Sequence, residues 1–146
     1  KNLGPDPLEV RCTVETYTEQ LLKRLSMKIK TALMDQSLIS GIGNIYSDEL
    51  LWLAQVRPDR QVSTLSQKEF THMFDTMKEV LMKGIDFGGD STSDYRQIDG
   101  TQGKFHHNHN VYRKKDQKCG KRGCDGVILR SVIGGRSAHY CSVHQK

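Results

Sequence analysis

The 146-residue chain predicts a mainly α fold closed by a small β-hairpin at its carboxy end, on three observations. Apolar residues recur at three-to-four-residue spacing in successive stretches from Thr13 to Gly84. Beyond residue 106, three cysteines and a histidine frame a ribbon-length segment. Charge divides at the same place: residues 1–103 carry 12 Lys and Arg against 15 Asp and Glu, whereas 104–146 carry 10 against 2.

Residues 1–11 contain Gly4, Pro5 and Pro7 and read as a linker. From Thr13, Tyr17, Leu21, Leu22 and Leu25 follow a helical period, with Glu15 and Glu19 early and Lys23 and Arg24 late, as the helix dipole prefers. Ile29, Ala32, Leu33 and Met34 make a short second helix ending near Asp35. Ser40-Gly41-Ile42-Gly43-Asn44 interrupts the pattern, its glycines permitting the left-handed angles of a compact double turn. Asn44 is placed to cap the next helix, 45–54, whose apolar surface is Ile45, Leu50, Leu51, Leu53 and Ala54. Arg57-Pro58-Asp59 breaks the chain. Ser66 and Glu69 then form a capping box for a longer helix through Phe70, Met73, Phe74, Met77, Val80 and Leu81.

The carboxy-terminal order Cys119-x4-Cys124-x16-Cys141-x2-His144 suits one tetrahedral zinc ion. Four protein ligands leave no position for a reactive water, so the ion is expected to be structural. His139 is the competing fourth ligand; its spacing is poorer, and it is expected as a solvated or phosphate-facing imidazole. Cys12 stands apart and is expected as a buried thiol, which argues against a two-disulfide secreted scaffold. No apolar run reaches membrane-spanning length and residues 1–5 do not read as a secretory leader, so an intracellular protein, in cytoplasm, nucleoid or nucleus, is expected.

The basic ribbon between the ligand pairs carries Arg130 and Arg136, and clustered cations of this kind favour a phosphate-bearing partner through counterion release. A glycine turn opening a helix likewise presents unpaired N–H groups to an anion.

Leu33-Met34-Asp35-Gln36 with Gly41-Ile42-Gly43-Asn44-Ile45-Tyr46-Ser47-Asp48-Glu49 resembles the helix-two-turn-helix of the formamidopyrimidine-DNA glycosylase and endonuclease VIII (Fpg/Nei) family. Gly88-Gly89-Asp90-Ser91-Thr92-Ser93-Asp94-Tyr95, Asp99-Gly100, Gly103-Lys104-Phe105 and Val111-Tyr112 look like the stretch leading into that family's zinc finger. Gly135-Arg136-Ser137 matches the finger tip, and Leu3-Gly4-Pro5-Asp6-Pro7-Leu8 is similar to the interdomain linker. The resemblance implies that Gly43, Asn44, Tyr112 and Arg136 contact the DNA backbone around an everted nucleotide. It also implies a division into a linker remnant at 1–11, a helix-two-turn-helix domain at 12–105 with a mobile loop at 88–105, and a zinc-finger hairpin at 106–146.

Two departures qualify it. The family's usual finger has two C-x2-C pairs, whereas here the first pair is C-x4-C and His144 replaces the last cysteine. The family's nucleophile, an amino-terminal proline followed by a glutamate, has no match: Pro5, Pro7 and Pro58 are internal and carry no free amine. The expectation is therefore the DNA-binding half of a base-excision-repair glycosylase/AP lyase, with no catalytic residue of its own. It would act as a monomer on duplex DNA bearing damaged bases or abasic sites, beside an amino-terminal catalytic domain. The rivals are a non-catalytic architectural zinc protein and an RNA- or protein-binding zinc ribbon. Ser91, Thr92 and Ser93 with His106, His107 and His109 lack the glycine elbow or paired acid of a nucleophilic enzyme, and those histidines are expected in solvent or near the DNA backbone.

Overall fold

The computed structural model describes residues 3–86 and 109–146, with side chains as far as Lys83 in the first span. The expected loop at 88–105, its motifs, and His106 and His107 lie outside the described residues. Four helices, α1 (Val14–Leu22), α2 (Ile29–Met34), α3 (Asn44–Ala54) and α4 (Gln67–Asp86), precede an antiparallel hairpin of β1 (Ile128–Ile133) and β2 (Arg136–Cys141). The mainly α class with an appended hairpin is the one the pattern predicts.

Each helix starts for a local reason. Thr13 caps α1, its hydroxyl accepting from the Thr16 N–H at 3.2 Å. For α4 the capping box forms in full: Ser66 Oγ accepts from the Glu69 N–H at 3.1 Å and Glu69 Oε1 from the Ser66 N–H at 2.9 Å. At α3 the structure corrects the sequence reading. Gly43, in extended backbone, holds the cap position without any side-chain cap, and Asn44 is the first helical residue. Of the two turn glycines only Gly41 takes a positive φ. Leu22 and Leu25, which follow the helical period in the sequence, are exposed, because the helix ends at Leu22 and turns follow it.

Two apolar clusters meet at α3. Tyr17, Leu21, Ile29, Leu33, Leu50, Leu51, Met73 and Met77 belong to the larger one, and each buried side chain of this size contributes about 1.5–3 kcal/mol. Trp52 looks the other way, into a smaller cluster with Val111, Ile128 and three cysteines. One helix thus carries the helical core on one face and the hairpin on the other. Residues 3–5 dock on the α2–α3 turn: the Gly4 N–H donates to the Gln36 carbonyl at 2.8 Å, and any Cβ at Gly4 would collide with the Leu38 carbonyl. Cys12 is buried as expected.

Candidate nucleic-acid interface and metal cluster

The ligand atoms of Cys119, Cys124, Cys141 and His144 lie within 4.8 Å of one another. His144 Nδ1 is 3.4 Å from Cys119 Sγ and 3.9 Å from Cys124 Sγ, and Cys124 and Cys141 sulfurs are 3.6 Å apart. A tetrahedral zinc ion with ordinary bond lengths needs about 3.6–3.8 Å between such atoms, so the donor set fits that ion. The surroundings orient it. His144 Nε2–H donates to the Trp52 carbonyl at 3.1 Å, which leaves Nδ1 facing the sulfurs. The N–H groups of Gly126 and Val143 donate to Cys124 and Cys141 sulfurs, both at 3.3 Å. Burial pulls the His144 imidazole below its ordinary value, toward the neutral form that ligates metal. Burial likewise raises the Cys119 thiol; at Cys141 burial is outweighed by N–H donors from His144 and Val143, and the thiol is lowered. A bound ion would tie the segment leading into β1 to the segment leaving β2 at the open end of the hairpin.

At the other end of the hairpin, Gly134 and Gly135 have φ of +59° and +81°, the two positive angles of a type I′ turn. That turn pairs Ile133 with Arg136 and presents Arg136, exposed, at the tip. A Cβ at Gly134 would lie 2.7 Å from Thr31 Oγ1, so the tip rests on α2. Arg136, Thr31, Met34, Asp35, Ile133 and Gly134 line an open depression of about 310 Å³.

Behind it runs a buried polar chain. Lys30 Nζ donates to Asp48 Oδ1 at 2.7 Å, to Ser47 Oγ at 2.8 Å and to the Asn44 carbonyl at 3.4 Å. Asp48 Oδ2 accepts from the His139 main-chain N–H at 3.2 Å and lies 2.9 Å from its Nδ1. Lys30 and Asp48 side chains are both 0% exposed. Burial pulls the Lys30 ammonium down, opposed by Asp48 and reinforced by the nearby charge of Arg136. Asn44 Oδ1 has no hydrogen-bond partner among the described residues.

Next along α3, the Glu49 carboxylate accepts from the N–H groups of Asn110, Val111 and Tyr112 at 2.8, 2.9 and 2.9 Å. Burial pushes the Glu49 carboxyl up, and these three donors partly offset it. They also hold Tyr112 in place, with its ring between His109 and His139 at centroid distances of 5.5 and 5.2 Å.

The sequence profile of the formamidopyrimidine-DNA glycosylase H2TH domain matches residues 3–96. The chain belongs to this family. It is 39% identical over 144 residues to a formamidopyrimidine-DNA glycosylase of Prochlorococcus marinus subsp. pastoris, covering 99% of this chain and 48% of the relative. The corresponding enzyme of Syntrophomonas wolfei is 43% identical over 145 residues, covering 99% and 53%. The Lactococcus lactis Fpg solved in complex with abasic-site DNA superimposes with a TM-score of 0.87 at 34% identity, covering 99% of this chain and 52% of that one. The Thermus thermophilus protein gives the same TM-score, identity and coverage of this chain. The chain thus spans about half the length of the curated relatives it matches.

In this H2TH family member the structure brings the four expected metal ligands together and excludes His139 from them. His139 is not solvated, as its spacing suggested, but buried at 5% exposure, because Asp48 offers its ring and its main chain an acceptor. His109 is likewise buried, edge-on to Tyr112, rather than in solvent. Sequence reasoning missed Lys30, Asp48, Glu49 and the Trp52 carbonyl. The available signal was charge among apolar neighbours: Lys30 lies between Ile29 and Leu33, and Asp48 and Glu49 lie between Ile45 and Leu50.

Proposed function

We propose that this chain is the DNA-gripping part of a base-excision-repair glycosylase/AP lyase, with duplex DNA carrying an oxidised base or an abasic site as its partner. The observation that carries the reading is the buried chain in which Lys30 donates to the Asn44 carbonyl and to Asp48, and Asp48 accepts from the His139 N–H of β2, which joins the double turn to the hairpin. Asn44 and Arg136 would hold phosphates flanking the everted nucleotide, Gly43 would let the backbone approach, and Tyr112 would add a further backbone contact. Apart from its chain neighbours, no atom of the described residues lies within 4 Å of a Cβ built at Gly43, which leaves room for such an approach. Clamping the backbone on both sides offsets the few kcal/mol needed to unstack a base.

Cys119, Cys124, Cys141 and His144 would hold one zinc ion, which supplies rigidity to the hairpin and takes no part in chemistry. The glycosylase and lyase steps would reside in the part of the relatives that this chain does not span. Pro5, Pro7 and Pro58 are internal amides, so none of them offers the secondary amine that the family's Schiff base requires. Such a partner places the protein with cellular DNA, and no described helix is long and apolar enough to cross a membrane.

Binding of the zinc-loaded chain to abasic-site duplex, intact duplex and structured RNA tests this. Abasic duplex is expected to bind best, and Asn44→Ala or Arg136→Ala should weaken it while lowering the salt slope by about one. Equal binding to all three, or unchanged affinity in both variants, would remove the reading. Borohydride trapping on abasic DNA should give no covalent adduct.

A further inference from the structure

We propose that Asp48 is a positioning residue, setting the Arg136 hairpin in register with the amino end of α3 through the buried chain Lys30, Asp48 and His139; this rests on the DNA-gripping function proposed above. The carboxylate faces two elements at once. Its Oδ1 accepts from Lys30 at 2.7 Å, and Lys30 also donates to Ser47 Oγ and the Asn44 carbonyl, the first turn of α3. Its Oδ2 takes the His139 main-chain N–H, a donor on the edge of β2 that the two-stranded sheet leaves unpaired, and meets the imidazole at 2.9 Å.

The lever arms are short. Asn44 precedes Asp48 by four residues, just over one helical turn or about 6 Å of rise. Arg136 precedes His139 by three residues of strand, about 10 Å. A shift of either oxygen's partner therefore moves a phosphate-holding group by a comparable distance. Cohesion alone would not select this arrangement, because an apolar contact of the same volume avoids the cost of removing Lys30 and Asp48 from water. What a charged bridge adds is direction: a shape-tolerant apolar contact can slide, and a carboxylate with a donor on each oxygen cannot.

The test is a double-mutant cycle of Asp48→Asn and Arg136→Ala in the zinc-loaded chain. Affinity for abasic-site duplex is read at two salt concentrations, with circular dichroism and zinc content confirming the fold. Asparagine keeps the size but offers one acceptor oxygen, so one side of the link is lost. Asp48→Asn should weaken binding about tenfold in the parent and less than about twofold in the Arg136→Ala background, since its effect passes through Arg136. Equal losses in both backgrounds, or no loss in the parent, would overturn the proposal while leaving the DNA-gripping function standing. No loss in Arg136→Ala itself would also overturn the proposal, and only if Asn44→Ala shows none either would the DNA-gripping function go with it. If Asp48→Asn does not fold, His139→Phe, which keeps a ring against Tyr112, enters the same cycle. If neither variant folds at saturating zinc, Asp48 is a folding determinant and the positioning role is wrong.

Discussion

His144 donates its Nε2–H to the main-chain oxygen of Trp52 at 3.1 Å, and the two rings meet edge-on at 5.1 Å. A residue of the Cys/His cluster is thereby fastened to α3, and the only tryptophan of the chain stands beside the cluster. Removing the metal should loosen the hairpin and shift Trp52 emission to the red, while the helical signal from α1 to α4 is kept; zinc should reverse both. Unchanged fluorescence in protein shown to be metal-free would refute the coupling.

Replacing Glu49 with alanine strands three main-chain donors at Asn110, Val111 and Tyr112. Leaving a buried donor unpaired costs about 1–3 kcal/mol, and the effects are not additive, so a loss of about 3 kcal/mol is expected. In thermal melts that corresponds to about 6–12 °C for a domain of this size. Glu49→Gln, which keeps an acceptor oxygen, should lose less.

The two hairpin glycines should respond differently to alanine. Both have positive φ, which costs a non-glycine residue about 1–2 kcal/mol. Apart from its chain neighbours, a Cβ at Gly135 meets nothing of the described residues within 4 Å, whereas one at Gly134 meets Thr31 Oγ1 at 2.7 Å. Gly134→Ala should therefore destabilise more than Gly135→Ala, and Thr31→Ala should recover part of the difference. Equal unfolding midpoints in denaturant for the two glycine variants would contradict the packing of the tip on α2.

Stability should weaken in acid partly through Glu69. The hydrogen bond from the Arg60 guanidinium holds its carboxyl below the ordinary 4.5, burial opposes that, and the Ser66 N–H adds to it. A carboxylate depressed in the folded state contributes stability above its unfolded value, and that contribution disappears as pH falls through the folded one. Glu69→Gln keeps the capping box but not the ion pair. It should cost up to about 1 kcal/mol at neutral pH, both partners being partly exposed, and flatten the decline below about pH 4.5. An acid limb identical to the parent's would discount the pair.

Much of this protein was legible along the chain because it is written in short-range chemistry. Helical periods, the Ser66 and Glu69 box and the spacing of Cys119, Cys124, Cys141 and His144 depend on neighbours a few residues away or on a fixed ligand count. Where local rules competed, the reading slipped. Asn44 has a good capping side chain, yet the turn starts α3 at Asn44 itself and leaves the cap to Gly43.

Only the tertiary structure decided what the buried charges do. Nothing in the spacing pairs Lys30 with Asp48, or Asp48 with His139, because these contacts cross 18 and 91 residues. A charge within an apolar helix is legible as an anomaly, but its partner is chosen by how α2, α3 and β2 pack. The same packing turned His139 from an expected surface imidazole into the far end of that chain, since a strand-edge N–H and a ring nitrogen found one carboxylate where the helix and the hairpin meet.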